Sequence, residues 1–332
     1  MINKRIWMMS AAVSLALAGA AVAQDTVKPD VMKHVEAGRA LAGKNSPVGL
    51  ILCNGALPAS KKDKLPNVAE LQARGGVAGQ PPEPAKVFDN LYYLGIRHVS
   101  AWAVDTPDGI ILFDTLDNHT EAADAIEGGL RKLGLDPARI KYIVVTHGHG
   151  DHYGGAKYLA DKYKAHVLMS AADWKYMADR FATDKPHPGW DGPPAHDMVV
   201  TDGQKLTLGG ETITLYVTPG HTPGTISSLI PVTDHGARHL VAQWGGTGFN
   251  FPRNKDNFKI YADSAARFSD IVQAAGADVP LSNHPETDSA IVKNDLLKTR
   301  GNGPNPYVLG KDATVRFMKA FSECAQAQEM TY

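Results

Sequence analysis

The run Ile140-Lys141-Tyr142-Ile143-Val144-Val145-Thr146-His147-Gly148-His149-Gly150-Asp151-His152 decides how this chain is read. Its first half is an almost continuous apolar stretch, broken by Lys141, of the kind that forms a strand covered on both faces. Its second half places four metal-competent side chains within residues 147 to 152, and the two residues between them are glycines, which permit a tight turn. A turn at the end of a rigid strand can hold such side chains accurately. His147 and His149, two apart, can reach one ion from the same side, while Asp151 and His152 project toward a neighbouring position.

Two more histidines stand in the same kind of setting, directly after apolar strand-like runs. They are His221 in Val217-Thr218-Pro219-Gly220-His221-Thr222-Pro223-Gly224 and His284 in Leu281-Ser282-Asn283-His284-Pro285. Upstream, close-spaced strands are expected at Val87-Phe88, 91–94, 100–105 and 109–114, the last two joined by the turn Thr106-Pro107-Asp108-Gly109. Helices are expected at 29–41, 120–133, 156–163, 171–181, 258–275 and 313–329, with a short candidate at 67–73. Strands are expected at 165–169, 204–209, 211–217, 226–231, 239–243 and 279–282. Alternating strands and helices with hairpins indicate layered α/β architecture with mixed sheets.

The 332 residues carry 34 Lys+Arg against 35 Asp+Glu and are 43% hydrophobic, enough to bury a sizeable core. No basic stripe exists to neutralise a phosphate backbone or an anionic membrane, so nucleic-acid binding is not expected. Lys4 and Arg5, the apolar stretch 6–21 and Ala21-Val22-Ala23 form the pattern of a secretory signal peptide cleaved after Ala23. The chain then divides into a signal at 1–23, an extension at 24–86 and a main domain at 87–332, with a periplasmic or secreted location and no membrane association after cleavage. Cys53 and Cys324 are open to pairing in an oxidising compartment or to remaining two buried thiols.

The motifs His-x-His-x-Asp-His at 147–152, Pro-Gly-His-Thr-Pro-Gly at 219–224 and the strand-end His284, with Pro107 to Asp114, together resemble the metallo-β-lactamase superfamily over about residues 87 to 325. The resemblance implies a four-layer αββα sandwich with two zinc ions at one edge, the first held by His147, His149 and His221, the second by Asp151, His152 and His284. Glyoxalase, phosphodiesterase and nuclease branches usually add a bridging Asp from a later strand. Here the corresponding stretch, Val241 to Gly248, holds no Asp, Cys or His. That leaves the third subclass of metallo-β-lactamases, whose sites use histidines and one Asp, as the closest resemblance.

The implied chemistry is attack on a carbonyl carbon of a small-molecule substrate by a hydroxide held between the zinc ions, with Asp151 orienting it and Tyr153 a donor to the developing oxyanion. Trp244 and Phe249 are expected on an apolar wall of the cleft. Thr247 is the one hydroxyl in place of the serine-bearing segment that such enzymes use to grip the β-lactam carboxylate. Hydrolysis of β-lactams is the first expectation, a lactonase or esterase on the same site the second, and a noncatalytic zinc-binding protein the reading from another class. His34, His98, His119, His166, His187, His196, His235 and His239 lack motif context and read as surface or packing residues.

Overall fold

The computed structural model describes residues 26–43, 47–62 and 82–332. The signal segment 1–23 and the short helix expected at 67–73 lie outside the described residues. Among the described residues twelve strands form two mixed sheets. The first sheet has seven in sequence order, β1 (Ala85–Lys86), β2 (Leu91–Tyr93), β3 (Trp102–Thr106), β4 (Gly109–Phe113), β5 (Ile140–Val144), β6 (His166–Ser170) and β7 (Met198–Val200). The second has five, β8 (Gln204–Leu208), β9 (Glu211–Val217), β10 (Ile226–Asp234), β11 (Ala237–Trp244) and β12 (Val279–Ser282), in the order β12-β11-β10-β9-β8.

Strands β1 to β4 pair antiparallel, as tight turns allow, whereas β4 to β7 pair parallel because helical crossovers separate them. In the second sheet β8 to β11 form an antiparallel meander and β12 joins β11 parallel after the long helix Lys255–Ala275. The first strand falls at Ala85–Lys86 rather than Val87-Phe88, whose side chains are instead buried between the sheets. The short β7 carries no sequence pattern strong enough to announce it. The Ala290–Leu297 helix also escapes the periodicity rule, since its apolar residues share no one face and it buries Lys293 and Asn294.

Three apolar layers follow from this arrangement. Trp102, Phe113, Val144 and Leu168 of the first sheet meet Leu206, Ile213, Ile230 and Leu281 of the second between the sheets. Leu112, Ile143 and Val167 face outward onto the helical stretch 119–132 and the helices Ala156–Tyr163 and Ala171–Thr183. On the opposite outer face Ala242 and Trp244 meet Phe258, Tyr261 and Phe268 of the long helix and Phe321 of Lys311–Glu329. This is a metallo-β-lactamase fold, with helices on both outer faces of a two-sheet sandwich.

The carboxyl ends of β5, β9 and β12 lead into the three histidine-bearing turns, all at one edge of the sandwich. Backbone bonds lock the sheets together there. Ile226 N–H donates to the Thr146 carbonyl at 2.7 Å and Ser100 N–H to the Asn283 carbonyl at 2.9 Å. Among the described residues no helix is long and apolar enough to cross a membrane.

The helix Pro29–Ala42 packs against Lys311–Glu329, with Val31 and Val35 in the outer core. Cys53 and Cys324 form a disulfide, their α-carbons 4.4 Å apart. Gly38 lies against both sulfurs, and a Cβ there would sit 2.5 Å from one of them. The bond closes a loop of 271 residues in sequence separation, so its removal enlarges the unfolded ensemble. A Cys53→Ser/Cys324→Ser double variant is expected to lose about 2–4 kcal/mol. Thermal unfolding monitored by circular dichroism checks this, and zinc content should not change, because the bridge lies in the outer core and not in the cleft.

Candidate metal centre

His147 follows β5 directly and is fully buried, and its Nε2 lies 3.1 Å from His221 Nε2. His149 Nδ1 lies at the same distance from His221 Nε2. The outward nitrogens explain why these three point inward. His221 Nδ1–H donates to the Gly248 carbonyl at 3.0 Å, His149 Nε2–H to the Tyr176 hydroxyl at 3.2 Å, and His147 Nδ1–H to Thr146 Oγ1 at 3.2 Å. With those protons outward, three lone pairs face one another at about hydrogen-bond distance with no proton between them. A tetrahedral zinc ion with Zn–N of 2.0–2.1 Å spaces its ligand nitrogens about 3.3 Å apart, so the donor set fits such an ion.

The second group is His147, Asp151 and His152, whose ligand atoms also lie within 4.8 Å of one another. His152 Nδ1–H donates to Asp114 Oδ2 at 2.8 Å, and its Nε2 is buried without a hydrogen-bond partner, 3.4 Å from Asp151 Oδ2. A buried, unpartnered imidazole nitrogen beside a carboxylate is what a cation site requires. His284 stands on the other side of His152, ring centroids 5.1 Å apart, with Nδ1–H tied to the His98 carbonyl. The structure thus brings all six expected residues to one place. The ligand atom of His284 falls outside the two tight groups.

Electrostatics follow from this crowding. Burial and the neighbouring imidazoles hold His147 well below the usual range, and burial pulls His149 and His284 to about 4. His221 is likewise lowered by burial. Burial opposes charge on His152 too, yet the carboxylates of Asp151 and Asp114 outweigh it and lift the group to about 10. Burial also works against ionisation of Asp151, but His152, His284 and His149 hold its carboxyl well below the usual carboxylate range.

Residues 94–234 match the profile of the metallo-beta-lactamase superfamily. That stretch of the chain is a metallo-β-lactamase superfamily segment. It is 34% identical over 129 residues to a hydroxyacylglutathione hydrolase of Acidiphilium cryptum, covering 39% of this chain and 43% of that one. It is 38% identical over 150 residues to the uncharacterized protein YobT of Bacillus subtilis, covering 43% and 61%. These matches span less than two thirds of either relative. Among solved structures, BJP-1, a subclass B3 metallo-beta-lactamase of Bradyrhizobium japonicum, aligns with TM-score 0.63 and 27% identity over 73% of this chain and 92% of its own. Native FEZ-1 from Legionella gormanii aligns with TM-score 0.64 and 22% identity over 74% and 96%. The chain combines that fold with a histidine-rich group whose ligand atoms could hold a metal ion.

Three residues expected to meet substrate, Trp244 and Phe249 as an apolar wall and Thr247 as a hydroxyl, lie elsewhere. Trp244 is buried in the outer core against Tyr261, Phe268 and Phe321, its Nε1–H donating to the Gly246 carbonyl and the Tyr261 hydroxyl. Phe249 packs against Phe251, Phe258 and Tyr261. Thr247 Oγ1 bonds Ser282 Oγ at 2.6 Å. The reason is strand alternation at the end of β11, which turns Trp244 away from the site and leaves Gly245 and Gly246, without side chains, beside it. A Cβ on Gly246 would sit 3.0 Å from that of His221.

The cleft, about 330 Å³, is instead lined by Tyr153, Tyr176, Arg180, Lys185, His187 and Trp190 along with the histidine-bearing turn. His187 stacks on Trp190 at 4.1 Å and is part of the wall, not an isolated surface residue. Trp190 lies on the backbone of the turn, and a Cβ on Gly150 would strike its ring at 2.4 Å. A larger cavity, about 590 Å³, lined by Leu94, Ile96 and His98, contains no metal-ligating cluster among the described residues.

Two buried aspartates hold the turns in place. Asp114 adopts a positive φ of 58°, and its carboxylate accepts Thr146 N–H, Thr146 Oγ1–H and His152 Nδ1–H. Asp173 accepts Gly148 N–H at 2.9 Å, Gly224 N–H at 2.7 Å and Thr222 Oγ1–H at 2.6 Å, so one carboxylate joins the His147–His149 turn to the His221 turn. Burial raises its carboxyl and those donors offset part of the rise, leaving it at about 6. Asp173→Asn keeps the shape but turns an amide N–H₂ toward other donors. It is expected to weaken zinc binding about 10–100-fold. Competition with a chromogenic chelator measures this; unchanged affinity would show that the two turns hold their spacing without the carboxylate.

Proposed function

We propose that this chain is an exported zinc-dependent hydrolase that opens the amide of β-lactams. The observation that carries the reading is the make-up of the site, five imidazoles and one carboxylate, with glycines where β11 ends beside His221. A bridging carboxylate from that strand end, expected of glyoxalase-type sites, has no residue here to supply it. Export is supported by the signal-like sequence at 1–23 and by the disulfide, a bond that persists in oxidising compartments.

His147, His149 and His221 would hold one zinc ion, and Asp151 and His152, with His284 facing them, a second. Zinc bound there supplies Lewis acidity, polarising a carbonyl oxygen and making water a better nucleophile near neutral pH. The chain's own residues do the rest. Asp151, kept ionised, accepts a hydrogen bond from the attacking water and so points its oxygen at the carbonyl carbon. Tyr153, whose phenol burial and the Asp151 charge keep protonated, lies on the cleft wall, able to donate to developing negative charge. Trp190 and Tyr176 exclude bulk water from one side.

A lactonase or esterase on the same site is favoured by one observation. The Thr247 hydroxyl is buried against Ser282 Oγ and its neighbours Gly245 and Gly246 carry no side chain, so that segment presents no exposed serine or threonine to a β-lactam carboxylate.

A panel of nitrocefin, an acyl-homoserine lactone and a glutathione thioester, each run with and without chelator, tests these readings. Chelator-sensitive nitrocefin hydrolysis is expected; turnover of the lactone or thioester alone moves the substrate assignment. No turnover of any member by zinc-loaded protein favours a noncatalytic zinc-binding role. His221→Ala is expected to reduce hydrolysis by at least 10²-fold and to lower zinc content, because it removes a ligand common to both close contacts. Retention of both properties on metal analysis and steady-state kinetics would remove His221 from the ligand set.

A further inference from the structure

The cleft wall opposite β11 is built by the end of the helix Ala171–Thr183 and the segment 184–197, and its charges are unequally compensated. Arg180 pairs with Asp184 at 2.6 Å. Asp191 accepts both the backbone N–H of His119 at 2.7 Å and its ring Nδ1–H at 2.6 Å. Lys185, which lines the same cavity as His149, Asp151, His221 and His284, has no carboxylate within ion-pair range among the described residues. The segment that carries it is fastened at several points. Asn118 Nδ2–H donates to the Gly189 carbonyl at 3.0 Å and Asp191 N–H to the Asp117 carbonyl at 3.1 Å. Trp190, stacked on His187 and seated over Gly150, is among the large apolar side chains left exposed, and it lines the same cavity as this cation.

We infer that Lys185 is the anchor for an anionic group, a carboxylate in the first instance, on a substrate whose apolar part lies against Trp190. The opposite wall offers no free hydroxyl, because Thr247 is bonded to Ser282 and Gly245 and Gly246 have no side chains. Arg180 and Asp191 are already engaged, which leaves one uncompensated cation facing the cavity. A flexible lysine on a tethered segment adapts to anions of differing reach as a point charge, and an adjoining indole face supplies apolar contact area. The substrate class is an ester, lactone or amide with a carboxylate near the scissile bond and an apolar or aryl substituent. Lys185 is a specificity-determining residue in this assignment, which rests on the hydrolase reading above.

The test uses zinc-loaded full chain and two pairs of probes that differ in charge. Phenylacetate and phenylacetamide are titrated by tryptophan fluorescence or calorimetry, and 4-nitrophenyl hydrogen glutarate and 4-nitrophenyl valerate are compared in turnover. Lys185→Ala is expected to weaken phenylacetate about tenfold and to raise KM for the glutarate ester similarly with kcat little changed, while the neutral probes shift by less than about twofold. Lys185→Arg should restore the anionic preference. A carboxylate also ligates zinc directly, so the decisive quantity is the part of the preference that depends on Lys185. No preference in the wild type, or one that survives Lys185→Ala, overturns the assignment even if turnover is robust. Lysine-dependent binding of phenylacetate without turnover of any probe leaves the anion site standing and removes the hydrolase reading instead.

Discussion

The constraint on which this molecule turns is the fixed direction of its imidazole protons. Each of His147, His149, His152, His221 and His284 has one ring nitrogen engaged by Thr146 Oγ1, Tyr176, Asp114, the Gly248 carbonyl or the His98 carbonyl. The remaining nitrogens of His147, His149 and His221 therefore face one another as lone pairs. Such a cluster is electrostatically unfavourable by itself and becomes favourable with a cation at its centre. The two sheets, joined at this edge by backbone bonds across the Thr146 and Asn283 turns, keep the rings from swinging apart.

Burying so much polar chemistry at a sandwich edge is costly unless each group finds a partner. Asp114 and Asp173 meet that requirement by accepting several donors apiece, and each spans two separate stretches of chain. Asp114 does so from a left-handed backbone conformation that few residue types accept. The outer cores are conventional by comparison, so the fold is stabilised by broad apolar layers and specialised at a single rim.

Much of the fold and the ligand cluster was legible in the sequence because the signal is local. An apolar strand ending in His147-Gly148-His149-Gly150-Asp151-His152 places four donors by covalent connection alone, and His221 and His284 follow strands in the same manner. The supporting residues were not legible for the opposite reason. Ser170 and Asp173 read as an ordinary helix start, Ser170 Oγ indeed accepting the Asp173 N–H, and nothing in their spacing says that the carboxylate reaches residues 148 and 224. Trp190, His187 and Lys185 sit in an irregular segment without periodicity, and their place in the cleft arises from tethers to residues 117–119. Trp244 misled because closeness in sequence to a motif does not determine which face of a strand end a side chain takes.

The bridge between residues 53 and 324 also alters what backbone cleavage can do to this protein. A peptide bond broken anywhere between those positions, including within the segment 184–197 that walls the cleft, leaves two pieces still covalently joined. Nicked and intact molecules would then have nearly the same mass without a reductant and separate once the bridge is reduced. Limited digestion can therefore sever the wall while the two halves of the sandwich, the histidine-bearing turns among them, remain a single covalent unit.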